Sequence, residues 1–205
     1  MVVQKKFRQS SEQAIASFNF ADIASGTGTV IYFASKTNIS GAEAFNLSEK
    51  DEYSSEIELL HTTAKTTTMD FDTAIFNLPQ TVRGTGLVSV GMYNTVAGAC
   101  QVAVQLKKVD SAAVVTDISS EQLGSFNPIG SSGTTGVLMN LIPLSLTETI
   151  IKKGDLIRLT IKFTTLDANN NTMGYDPKGR QGTFLVAARG GSTITKVHIP
   201  FRIDR

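Results

Sequence analysis

The chain has 205 residues, 41% of them hydrophobic and 18% charged, with 19 Lys and Arg against 18 Asp and Glu. That is about one domain of chain, too apolar for a disordered segment and too evenly charged for a general electrostatic pull toward nucleic acid. One Cys, two His and no Trp exclude an internal disulfide framework, a Cys-rich zinc module and most His-built metal sites.

In chain order, residues 1–17 read as a polar arm carrying Lys5, Lys6 and Arg8, ahead of a single domain over 18–205. No apolar run of signal-peptide length follows the basic start, and no stretch approaches the roughly 20 apolar residues that span a bilayer. The expectation is therefore a chain kept in cytosol or packed into a particle assembled there. From residue 29 onward, period-two alternation dominates. Strands are predicted over 29–34, 56–62, 68–76, 86–93, 101–109, 113–118, 136–142, 155–163, 183–188 and 196–203.

The pattern is clearest where Ile157, Leu159, Ile161 and Phe163 alternate with Leu156, Arg158, Thr160 and Lys162, giving one dry and one wetter face. The last strand repeats it with Val197, Ile199, Phe201 and Ile203, but Pro200 cannot donate to a ladder and predicts a strand at an edge or frayed at that point. Helical pattern is confined to single turns at 20–24, 40–45 and 119–123. Two long loops are expected, 123–136 with its glycines and the Asn-rich 167–182. Before residue 156, Lys152-Lys153-Gly154-Asp155 forms a turn in which Gly supplies positive φ and Asp bonds its own backbone. About ten short strands bounded by turn residues predict an all-β fold, an antiparallel, jelly-roll-like β-sandwich.

The search for chemistry runs mostly by elimination. Asp167, Asn169 and Asn171 alternate as calcium-loop ligands do, but Thr172 and Lys178 stand where that loop needs Gly and Glu, so a solvated turn is expected. Asp70 and Asp72 share one face of a strand; a carboxylate pair for glycoside hydrolysis is conceivable, and the wet face of a strand is the expected reading. The glycines at 130–136 lack the lysine and the following helix of a phosphate cradle. No nucleophile elbow accompanies His61 or His198. Cys100, within an alternating run, is expected as a small core residue. No cofactor and no metal are expected.

Charge placement says more. From residue 43 to 72 there are eight acids, Glu49, Asp51 and Glu52 among them, against Lys50 and Lys65. From residue 178 to 205 there are six bases, Lys178 and Arg180 among them, against Asp204. Two readings are open: cross-strand pairing within one molecule, or complementarity between neighbouring copies. On the second, Lys5, Lys6, Arg8, Glu49, Asp51, Glu52, Lys178 and Arg180 are partner-binding candidates. Tyr175 joins them as the one aromatic platform for a glycan.

The basic, Gln-rich start Gln4-Lys5-Lys6-Phe7-Arg8-Gln9-Ser10, the stretch from Phe18 to Gly28 that enters the first strand, the Lys152–Asp155 turn and the Arg-terminated last strand together resemble β-sandwich virion proteins of tailed bacteriophages: head decoration or cement proteins and related tail components. The resemblance implies a non-catalytic structural role on a particle. The partners it implies are a major capsid or tail protein and further copies of the chain, with no nucleic acid and no membrane; an arm of this kind can order on a neighbour. The alternative is a carbohydrate-binding sandwich.

Overall fold

The computed structural model describes residues 27–39, 41–94, 99–125, 127–128, 136–180 and 194–202. The all-β expectation holds: these residues form 13 strands. In order they are β1 (Thr27–Ile39), β2 (Ala42–Ser48), β3 (Glu58–His61), β4 (Lys65–Thr73), β5 (Gln80–Asn94), β6 (Ala99–Val109), β7 (Val115–Asp117), β8 (Gln122–Leu123), β9 (Asn127–Pro128), β10 (Gly136–Ile151), β11 (Leu156–Thr165), β12 (Asn171–Gly174) and β13 (Lys196–Arg202). The arm, the turn at 20–24 and the strand at 183–188 lie outside the described residues.

The strands follow one hydrogen-bonded path, β3-β12-β5-β13-β1-β2-β4-β11-β6-β7, with β10 on the far side of β5 and β8 and β9 on β6. Every pairing is antiparallel except one. β2 and β4 run parallel and share only Asn46↔Asp72 and Leu47↔Thr73. The path folds over at this seam, so the inner faces on either side of it close on a common core. The opposite border is stitched by a bridge between Ser119 and Leu146 and by the Thr147 amide donating to the Ile118 carbonyl at 2.9 Å.

Alternation fills that core as the sequence pattern requires. Ile157, Leu159, Ile161 and Phe163 of β11 are fully buried, as are Val102, Val104 and Leu106 of the paired β6. Phe45, Phe71 and Tyr175 meet behind the parallel seam, with ring centroids 5.1 to 6.2 Å apart and edge-on or tilted. Each such ring removed from water contributes on the order of 2–3 kcal/mol. Cys100 is fully buried, as expected, and burial pushes its thiol up to about 12. The Lys152–Asp155 turn also forms as read: Gly154 has φ +92°, and Asp155 Oδ2 accepts the Lys152 amide at 2.9 Å.

Four expectations are corrected. The last strand, β13, is central, lying between β1 and β5. The edge position is overturned, but the fraying expected at Pro200 is present: the register with β5 breaks between His198 and Phe201, where Gly84 (φ +107°) lies against the proline ring. The helical turn at 40–45 is instead the start of β2, which pairs with β1 over seven positions. The turn at 119–123 gives way to β8. The Asn-rich loop contains β12, inserted between β3 and β5, with residues 171–177 all buried.

Candidate functional site

The acidic and basic runs meet in the strand-free segment between β2 and β3 and in the segment that follows β12. Asp51 accepts Lys178 Nζ at 2.8 Å, and that bond holds its carboxyl below the usual range. Arg180 donates to both oxygens of the fully buried Asp176, at 3.1 Å from Nε and 3.0 Å from Nη2, and to the Ser54 carbonyl. Its guanidinium also lies over the Tyr53 ring, 4.6 Å from the centroid. Lys178 and Asp51, one from each run and 127 positions apart, therefore pair within one molecule.

Beneath this surface sits Lys36, 7% exposed, which bonds Glu56 at 2.7 Å and Glu43 at 3.0 Å. Burial pulls its ammonium down, but the bonds to Glu56 and Glu43 outweigh it and leave the group raised. Lys36 in turn holds Glu56 below the usual carboxylate range. Glu56 also accepts the Tyr175 hydroxyl at 2.9 Å. Tyr175 is 1% exposed, so the glycan platform expected of it is corrected: the ring belongs to the core and only its hydroxyl meets polar groups. The exposed tyrosine nearby is Tyr53, at 68%.

Glu49 and Glu52 take a different place. β2 and β4 diverge after their two shared positions and open a groove of about 660 Å³. Its walls include Glu49, Glu52 and Asp72, one base, Lys50, and the apolar faces of Ile75 and Phe76. Tyr32 bonds Glu49 at the groove wall. Burial raises the Glu49 carboxyl against the opposing influence of that bond and of Lys50, and raises the Tyr32 hydroxyl in the same direction.

The other candidate chemistries are already engaged. Arg158 grips Asp72 with two bonds of 2.7 Å and reaches Asp70 at 3.3 Å, while Thr160 donates to Asp70 at 2.7 Å. This is the wet strand face expected of the aspartate pair. Asp167 Oδ1 accepts the Asn169 amide and Asn171 Nδ2, both at 2.9 Å, and its other oxygen accepts the Ala99 amide. The carboxylate thereby closes a turn. His61 is fully buried between Thr67 (2.9 Å) and Thr165 (3.3 Å) and tilted against Phe163. Lys5, Lys6 and Arg8 lie outside the described residues.

Lys36, Glu43, Glu56 and Asp176 were not candidates from sequence. A charge count that begins at residue 43 cannot see Lys36, which supplies the missing base from β1. The available signal was a lysine at an inward position of the first strand.

No family model matches the chain, and no curated protein matches it. Solved structures do. An alpha-amino acid ester hydrolase is similar at 10% identity and a TM-score of 0.55, over 85% of this chain and 36% of that one. An aminopeptidase from the marine sediment archaeon Thaumarchaeota archaeon aligns at 10% identity and 0.49, over 82% and 36%. A CocE/NonD family hydrolase from Staphylococcus aureus aligns at 9% and 0.47, over 83% and 36%. The chain spans about a third of the length of each. At such identity the likeness is one of fold.

Proposed function

We propose that the protein is a non-catalytic structural component of a virion, a capsid decoration or minor structural protein assembled in the host cytoplasm, which docks on a shell or tail protein and on copies of itself. The observation that carries this reading is the distribution of side chains. The described aspartates of the strand faces and the acidic and basic runs are largely spent on internal pairs, whereas large apolar side chains stand in solvent beside one border of the fold. Leu123 of β8 is 65% exposed, and Leu141 and Met139 of β10 are 63% and 39% exposed. They lie along adjoining strands, since the Ser125 amide bonds Asn140 at 2.8 Å. Apolar side chains grouped on a surface suit contact with another protein.

Sedimentation velocity on the full chain, from low to high micromolar concentration, tests the reading. Wild type is expected to self-associate, and the double variant Leu123→Asp, Leu141→Asp to remain monomeric with an unchanged circular dichroism spectrum. A wild-type chain that stays monomeric throughout would overturn it. The fold likeness favours a second reading, a non-catalytic sandwich domain that packs on a separate catalytic domain. In that case the isolated chain stays monomeric and the same apolar border faces the other domain.

A further inference from the structure

We propose that the groove between β2 and β4 is the docking site of the chain's own basic segment, Lys5-Lys6-Phe7-Arg8. Three observations meet here. The first is charge: three acids of the wall, Glu49, Glu52 and Asp72, face one base, Lys50, and Asp72 is the only one of the three gripped by an arginine. Glu49 and Glu52 thus present negative charge beside apolar surface, and the segment presents three cations around a phenylalanine.

The second is shape. The groove has about 660 Å³ of space, enough for several side chains, and Ile75, 61% exposed, and Phe76 give its floor an apolar stretch for Phe7. The seam that creates it is a pair of diverging parallel strands. Such a wedge admits an extended segment along its length.

The third is position. Phe76 of the groove wall lies tilted against Phe201 at a centroid distance of 6.0 Å, and Phe201 pairs with Gly28, the second residue of β1. The first residues of β1 therefore lie close to the groove. The stretch from Arg8 to Thr27 can span roughly 60 Å when extended, at about 3.3 Å per residue, so a return to the groove of the same molecule needs only a fraction of that reach. A site so near its own tethered ligand sees it at a high effective concentration, which favours the segment of the same molecule over that of a neighbour. This inference stands apart from the apolar border at β8 and β10, and either can fail alone.

The test is zero-length carbodiimide cross-linking of the full chain, using an equal mixture of unlabelled and nitrogen-15-labelled protein and mapping the products by mass spectrometry. The expected products join Lys5 or Lys6 to Glu49 or Glu52, with both halves carrying the same label. The variant Glu49→Gln, Glu52→Lys keeps an acceptor for the Tyr32 hydroxyl and reverses the charge only at the exposed Glu52; it is expected to keep the wild-type melting curve, while the yield of Lys5 and Lys6 cross-links drops roughly fivefold or more. In molar salt the wild-type yield is expected to fall similarly. Cross-links spread evenly over Glu121, Glu148 and the other exposed acids would overturn the proposal. So would cross-links of mixed label, or a yield indifferent to the reversal.

Discussion

His61 offers the sharpest test of how the interior is organised. The ring is fully buried, its two nitrogens contact Thr165 and Thr67, and Phe163 covers one face at a centroid distance of 4.8 Å. Burial first, and the nearby Lys65 second, lower its pKa from 6.5 to about 4. The unfolded chain takes up a proton near 6.5 and the folded chain near 4, so between those values the unfolded state binds more protons. Stability is then complete above about pH 6.5, falls as the pH drops toward 4, and loses nothing further from this group below that. At 1.36 kcal/mol per unit, the loss between pH 7 and pH 4.5 is about 2–3 kcal/mol. The assay is urea unfolding at both values for wild type and His61→Gln, which keeps a polar side chain between the threonines but does not titrate. His198 and the carboxylates titrate in both proteins and cancel in the difference. Wild type is expected to lose about 2–3 kcal/mol more than the variant over this interval. Equal losses in the two proteins would refute the assignment of a buried neutral imidazole.

Two further predictions concern packing and pairing. A Cβ on Gly124 would lie 2.9 Å from Ile142 Cδ1 and 3.0 Å from both Asn140 Oδ1 and Val102 Cγ2, so Gly124→Ala is expected to lower unfolding free energy in urea by about 1–3 kcal/mol; an unchanged midpoint would show that β8 sits away from β10. A double-mutant cycle on Arg158→Gln and Asp72→Asn is expected to show coupling of about 1 kcal/mol, the upper end for a half-exposed pair, because two parallel bonds hold it; additive effects would show that the grip seen between β4 and β11 adds nothing to stability.

How much of this was legible in the chain depends on where each residue's partner lies. β11 was plain because its own alternation states both faces. β2 was hidden, since Ala42, Glu43, Ala44 and Leu47 suit a helix locally and only the length of β1 beside them makes a strand. β12 was hidden for a related reason: Asn171 and Thr172 look like loop residues, and their burial comes from β3 on one side and β5 on the other. Pro200 foretold a break in the ladder, which is there between His198 and Phe201, but not which strands flank it, because β1 and β5 are far away in sequence. In the candidate site, the two charged runs were visible but their pairing was not, because Lys178 reaches Asp51 across 127 positions of sequence. The groove left no trace at all. It comes from two strands that agree over two residues and then part, which no local pattern encodes.

The pairing of β1 with β13 also sets a schedule for synthesis. When residues 27–39 leave the ribosome, the strand that will flank them at residues 196–202 has not yet been made, and β4 likewise waits for β11. Nascent β1 and β4 must emerge with apolar edges uncovered. The polypeptide then closes late, by long loops, at the slow pace of non-local β topologies and with a corresponding need for protection against aggregation until the final strand arrives.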